Sequence, residues 1–259
     1  MLSAATWDVI HDWTARRLGC APERLRTPGV ITQGHGPALT DYQGVYVWLM
    51  GDAAIVSAPA GWLGVVRAAV AGRPATALVD ADLWLAALGA SVERVVGPSY
   101  QGFVDSHTFS VAPPTTLAPG ARLLTSEDRP ALERFAAACP QEDWTHSAIA
   151  FDHQPVFGLE RDGALVALAS APIDEKGEAS VWRPLVRSVG VVTLPAWRGV
   201  GAGRAVVSAL TAYCLAGGAT LRYQTLRSNG ASVAIARALG YVDVATALAV
   251  RVRASDAYG

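Results

Sequence analysis

The run Val191-Val-Thr-Leu-Pro-Ala-Trp-Arg-Gly-Val-Gly-Ala-Gly-Arg204 constrains this chain more than any other. A β-branched stretch, 189–193, reads as a strand. It meets a turn containing Pro195, then glycines at alternate positions (Gly199, Gly201, Gly203), then a segment with helical spacing. Val206, Val207, Leu210 and Cys214 recur at three and four residues, and Gly217-Gly218 stops the run. Strand, glycine loop and helix start in that order present a row of free backbone N–H groups to an anion. Glycine suits such a loop because a Cβ would hold a ligand away from the backbone. The helix dipole favours an anion there by about 0.3–1 kcal/mol, and Arg198 and Arg204 flank the loop where they can pair with phosphate oxygens. An ordinary tight strand-to-helix turn has the same local pattern.

The residues downstream exclude two kinds of phosphate-binding loop. A P-loop places Lys-Ser or Lys-Thr after its last glycine, where this chain has Arg204-Ala205. A dinucleotide fingerprint requires an acid about twenty residues on to hold the ribose hydroxyl, and no Asp or Glu occurs in 179–242. That stretch carries Arg183, Arg187, Arg198, Arg204, Arg222, Arg227 and Arg237, so its formal charge is +7 against −1 for the chain, leaving −8 for the remainder. The asymmetry points to a polyanionic ligand near this segment, with several of the arginines on solvated faces.

Arg198-Gly-Val-Gly201-Ala-Gly203, preceded by Pro195 and Trp197, resembles the acetyl-CoA loop of the GNAT superfamily of N-acetyltransferases. A second match lies at the usual distance downstream: Asn229-Gly-Ala-Ser232 opens a short helix with Val233, Ala236 and Leu239 on one face, ending at Gly240-Tyr241. The resemblance covers 123–252, and the whole layout is similar to bacterial two-part members of the superfamily. It implies an α/β (α+β) fold with a mixed, mostly antiparallel sheet flanked by helices. It also implies that strand 186–193 is splayed from its neighbour, so that backbone groups of Val191, Val192 and Thr193 meet the pantetheine arm of acetyl-CoA. Amides of Gly199, Val200, Gly201, Ala202, Gly203 and Arg204 would hold the pyrophosphate, with Arg198 beside them, and Asn229 and Ser232 would approach the thioester. From the residues alone, Asn229 reads equally as a helix N-cap, and Ser232 as helix surface.

One departure bears on mechanism. Many members carry a tyrosine seven residues after the Asn as proton donor to the leaving thiolate; here that position is Ala236. Tyr213 and Tyr223 are expected in buried packing and Tyr241 in the core, which leaves water or Ser232 for the role. A lysine-like amine of pKa about 10.4 costs about 4.6 kcal/mol to deprotonate at pH 7, so a base is needed. The 179–242 stretch has no His either, so candidates come earlier: Glu142, Asp143, His146, Asp152, His153, Asp174, Glu175 and Glu178. Glu142-Asp-Trp-Thr-His-Ser147 comes after an expected helix, 129–139, and falls where the resemblance puts the substrate-gating loop. Trp144 and His146 share a face if the run is extended, giving an aromatic substrate wall beside a residue type well suited to proton transfer. A surface loop with a solvated His fits the same residues. Asp174-Glu-Lys-Gly177 reads as a hairpin turn.

The run Val111-Ala-Pro-Pro-Thr-Thr-Leu-Ala-Pro-Gly120 reads as a linker, giving an N-terminal α/β domain over 1–112, a linker over 113–120 and the acetyltransferase-like domain over 121–259. With 51% hydrophobic and 17% charged residues, 259 residues can bury a core in each lobe. The pattern predicts helices over 7–18, 62–70 and 82–88, a hairpin over 45–57 and a strand over 92–97. This half reads as a degenerate half of the same superfamily that shapes the substrate pocket. Gln33-Gly-His-Gly36 and Ser99-Tyr-Gln-Gly-Phe103 are candidate pocket linings, with turns and core packing as the plainer reading. Cys20, Cys139 and Cys214 are dispersed and odd in number, with no metal spacing, and Cys214 falls on an apolar helix face. No secretory signal is evident, and the apolar run 53–72 is broken by Pro59, glycines and Arg67. The expectation is a cytoplasmic protein using acetyl-CoA as co-substrate and no metal, with a small-molecule or peptide amine acceptor and neither membrane nor nucleic acid as partner. Its alternatives are a CoA-binding regulatory or sensor protein and a structural part of a larger assembly.

Overall fold

The computed structural model describes residues 1–113, 120–147, 149, 155–172 and 186–253. Asp152, His153, Asp174, Glu175, Glu178, Arg183 and residues 114–119 of the expected linker lie outside the described residues. The chain divides into two compact units that are not consecutive in sequence. One holds residues 1–2, 103–223 and 234–242; the other holds 3–102, 224–233 and the chain from 243 onward.

The unit with most of the N-terminal residues begins with helix α1 (Ala4–Leu18). Ser3 caps it, its hydroxyl accepting from the amide of Thr6 at 3.2 Å. Strand β1 (Gly29–Gly34) comes next, then the expected hairpin of β2 (Gly44–Met50) and β3 (Ala53–Ala58), whose two-residue turn fixes the antiparallel register. Helices α2 (Leu63–Val70) and α3 (Ala81–Leu88) precede β4 (Val92–Val104). β4 is longer than the pattern suggested, because the chain stays extended through Gly97-Pro98. Ser99, Tyr100, Gln101 and Phe103 are thereby buried on it, the core-packing reading of that run. The last strand, β10 (Val242–Val252), pairs antiparallel with β2, and the strand order here is β1-β3-β2-β10-β4. Both faces of β2 are covered. Val45 and Val47 join Val66, Trp84, Leu248 and Val250 in one apolar cluster, while Trp48 meets Trp13 of α1 edge to face at 6.1 Å.

The other unit contains β5 (Arg122–Leu123), α4 (Arg129–Ala138), α5 (Gln141–Ser147), β6 (Val156–Arg161), β7 (Ala164–Ser170), β8 (Val186–Thr193), α6 (Ala202–Ala216), the start of β9 (Thr220–Leu226) and most of α7 (Gly230–Ala238). Its strand order is β9-β8-β7-β6-β5, antiparallel except for the parallel pair β8–β9, which the α6 crossover requires. The Thr125 hydroxyl and the Asp128 carboxylate form a capping box ahead of α4, and Arg122 grips Asp128 with two hydrogen bonds of 2.9 and 2.7 Å. Leu132 and Phe135 of α4 pack with Val156, Leu168 and Val192 on one face of the sheet. Helix α6 buries Val206, Val207, Leu210 and Cys214, the four residues its spacing had marked.

Candidate functional site

β8 changes partner in mid-strand. Val186 to Val189 register in parallel with Thr220 to Tyr223 of β9; Gly190 to Thr193 register antiparallel with Ser170 to Ala167 of β7. From Gly190 onward the β9 side of β8 therefore has no strand partner among the described residues. A backbone that ends its ladder in this way has donors and acceptors to offer a ligand. Side chains alternate across the strand: Val192 belongs to the α4 cluster, while Val191 and Thr193 face Gly203 of α6.

A turn over Pro195–Trp197 carries the chain from β8 to the glycine loop, with the Arg198 amide bonded to the Pro195 carbonyl. Gly199 and Gly201 have φ of 78° and 90°, a region costly for residues with a Cβ. Gly201 is the N-cap of α6 and supplies no side-chain cap. The first backbone bond of the helix runs from the Ala205 amide to the Gly201 carbonyl at 3.0 Å, and a turn over 198–201 precedes it, so the helix-start amides of Ala202, Gly203 and Arg204 have no intrahelical acceptor. Gly203 is glycine for a different reason: a Cβ there would lie 3.0 Å from Thr193 Oγ1 and 3.3 Å from Ile235 Cδ1. Its role is close packing of α6 on β8. Ala202 is buried at the helix start, and Val200 projects into solvent.

The arginines of the acid-free stretch are mostly engaged locally. Arg227 forms a two-pronged pair with Asp243, both contacts 2.9 Å. Arg222 is buried and donates to Ser188 Oγ, and Arg187 donates to the Ala171 carbonyl. At the loop, Arg198 donates from Nε to the Thr193 carbonyl at 3.1 Å and from its terminal nitrogen to Asp143 at 2.6 Å. The buried Nε of Arg204, in the first turn of α6, has no hydrogen-bond partner among the described residues.

The segment 141–147 departs from the expected extended loop. It is the helix α5, with the Trp144 amide bonded to the Pro140 carbonyl at 3.0 Å. At 100° per residue, Trp144 and His146 point about 160° apart rather than sharing a face. Trp144 turns inward against Phe135, centroids 6.3 Å apart, while Glu142 and His146 fall together, four residues apart, on the exposed side. Asp143 and Ser147 occupy the side that sits on β8. A Cβ at Gly190 would collide with the Ser147 carbonyl oxygen and would lie 3.5 Å from the buried hydroxyl of Ser170. Gly190 is not among the site residues expected from sequence, and Asp143 is there only as one of eight candidate bases, not as a partner of Arg198. The available signals were a glycine inside a β-branched run and an acid in a first helical turn.

Asn229 and Ser232 lie at the head of α7 and belong with the other compact unit. The Asn229 side chain accepts from the Ser232 amide at 3.1 Å, so it is an N-cap. Ala236 is fully buried. Tyr223 and Tyr241 are core residues whose rings meet edge to face at 5.4 Å, and the Tyr241 hydroxyl bonds Thr211 at 2.8 Å. Tyr213 differs from expectation: it is 51% exposed, its ring resting on Phe157, because it lies off the apolar stripe of α6. Burial pushes the Cys214 thiol up to about 11, which keeps it protonated and unreactive at neutral pH.

Comparison with known proteins places these features in a family. Residues 121–241 match the family model described as acetyltransferase (GNAT) family. The C-terminal part of the chain is a GNAT acetyltransferase domain. No curated protein matches the chain. Among solved structures, a GNAT-family protein from Novosphingobium aromaticivorans is 22% identical, with 61% of this chain and 65% of that one covered at a TM-score of 0.45. A GNAT-family acetyltransferase from Colwellia psychrerythraea is 16% identical over 66% of this chain and 61% of its own, TM-score 0.46. A GCN5-related N-acetyltransferase from Kribbella flavida is 19% identical over 67% and 66%, TM-score 0.43. The chain thus spans less than two thirds of the first two. No helix among the described residues is long and apolar enough to cross a membrane.

Proposed function

We propose that this chain is an acetyl-CoA-dependent N-acetyltransferase that moves an acetyl group to an amine by direct attack in a ternary complex. The observation that carries the reading is the partner change at Val189/Gly190, which leaves one edge of β8 without a strand among the described residues and leads into the glycine loop and the helix-start amides of α6. Amides of 199–204, aided by the guanidinium of Arg204, would hold the pyrophosphate. Backbone groups of Val191 and Thr193, which face the edge that β9 has left, would align the pantetheine arm, with Asn229 and Ser232 toward the thioester, while those of Val192 face β7. The amine lone pair forms the C–N bond at the acetyl carbon, and a backbone N–H near Val191 steadies the oxyanion. The C–S bond then breaks. The thiolate, of pKa near 8.5, leaves as such or takes a proton from Ser232 or water. His146 and Glu142, on one exposed face of α5, are the candidates to receive the ammonium proton, and Trp144 is the candidate acceptor wall.

Calorimetric titration with acetyl-CoA tests the reading on wild type, Gly201→Asp and Val200→Glu. The second variant adds a carboxylate at an exposed position without demanding a positive φ. Both should weaken binding by about tenfold or more, or roughly 1.4 kcal/mol. Folded wild type that binds no acetyl-CoA would sink the proposal. A second reading, a CoA-binding regulatory protein, draws support from the side chain at Ala236, which has no proton to give. Binding without turnover across a broad panel of amines would favour it.

A further inference from the structure

Arg198 joins three places that the sequence keeps apart. Its backbone opens the glycine loop, its Nε donates to the carbonyl that ends β8, and its terminal nitrogen donates to Asp143 in the first turn of α5. The other end of α5 is seated by backbone contact, the Ser147 carbonyl oxygen lying against the Cα of Gly190. Helix α5 therefore spans the stretch of β8 that has lost its β9 partner, touching it at Gly190 and, through Arg198, at Thr193. Helix α6 approaches the same stretch from the opposite face, with Gly203 against Thr193 and Val191. A ligand that orders the head of α6 thus has a charged route to α5, around the end of β8 through Arg198 and Asp143.

We propose that Asp143 is a positioning residue: through Arg198 it ties α5 to the glycine loop, so that filling the loop orders α5 over the parted stretch of β8. The proposal rests on acetyl-CoA occupying 199–204. The pair suits a link that must form and yield. Its side chains are 50% and 37% exposed, so its contribution is modest, while the 2.6 Å charge-assisted bond gives it direction. The second bond of Arg198, to the Thr193 carbonyl, fixes the guanidinium plane, which a lysine ammonium cannot reproduce. Coupling of this kind is reciprocal: what CoA does to α5, the state of α5 does to CoA.

Hydrogen exchange with mass readout, with and without acetyl-CoA, follows peptides covering 141–147 and 199–204 in wild type, Asp143→Asn and Arg198→Lys. In wild type, acetyl-CoA should slow exchange in both peptides. In Asp143→Asn the loop peptide should still be protected at saturating acetyl-CoA, the α5 peptide should not respond, and the dissociation constant should rise by about two- to five-fold. Arg198→Lys should behave in the same way. A residue with only a structural role would alter α5 exchange equally with and without acetyl-CoA. Equal α5 protection by acetyl-CoA in wild type and Asp143→Asn overturns the coupling while leaving the cofactor site standing. Absence of any acetyl-CoA effect on 199–204 in wild type overturns the cofactor reading, and the coupling with it.

Discussion

The two halves of β8 are built from the same kind of residue and do different work. Val186 to Val189 lie beside β9, with Val186 and Val189 buried, and there the side chains decide the outcome. Gly190 to Thr193 lie beside β7 only, and the backbone on the other edge is what the strand has to offer. At the changeover stands Gly190, whose missing Cβ admits the end of α5. A strand can therefore serve as core for four residues and leave a backbone edge open over the next four. What divides them is which neighbour takes the hydrogen bonds.

Substitutions on either side of the changeover test this division, beginning with the most damaging. Gly190→Ala puts a methyl against a backbone carbonyl that cannot rotate away, so the cost should be near the upper end of overpacking, about 3 kcal/mol. Denaturant unfolding should show that loss, together with faster hydrogen exchange in α5. Unchanged stability would mean that α5 shifts freely on the strand. Val186→Ala removes two methyl groups from the core half and should cost roughly 1.6 kcal/mol while leaving the acetyl-CoA dissociation constant within about twofold. A larger loss of affinity would erase the distinction between the halves. Asp128→Asn, at the far edge of the same unit, gives the smallest effect, about 1 kcal/mol at pH 7. The Arg122 guanidinium holds the Asp128 carboxyl down to about 2. A depressed folded-state value means that its stabilisation is present above the usual carboxylate range and is lost as pH falls through about 2. The difference between wild type and Asp128→Asn should therefore fade from pH 4 to 2, whereas the penalties at Gly190 and Val186 should not follow that titration. Unfolding curves at several pH values would show whether they separate.

The elements that carried a full period were legible. Helix α6 was readable from Val206, Val207, Leu210 and Cys214, and the β2–β3 hairpin from apolar runs around Gly51-Asp52. Helix α5 was not, because seven residues hold too little apolar repeat to outvote a polar composition. Pro140, with Glu142 and Asp143 in the first turn after it, was nonetheless a start signal available in the chain. The glycine loop was legible in position but only partly in reason. Gly199 and Gly201 are glycine for their φ, whereas Gly203 answers to Thr193 and Ile235, contacts formed only once the chain has folded. Likewise no residue pattern in Val189-Gly-Val-Val-Thr193 announces a change of partner, since both neighbours accept the same alternation, and the splay of this strand was expected from the family resemblance alone. Asp143 was one of eight candidate acids and histidines until Arg198 met it from 55 residues away.

The place of β10 has a consequence for how the molecule is made. Val242–Val252 lies between β2 and β4, so the sheet of the first-synthesised unit lacks an interior strand until those residues are translated. At about 5–20 residues per second, the interval between completing β4 and releasing β10 is on the order of ten seconds. Throughout it, Val45, Val47 and the facing edges of β2 and β4 wait without their permanent neighbour. The nascent chain is then a ready client for holding factors at the ribosome exit, and slow translation of 103–241 should raise its aggregation in the cell even though the finished protein is unchanged.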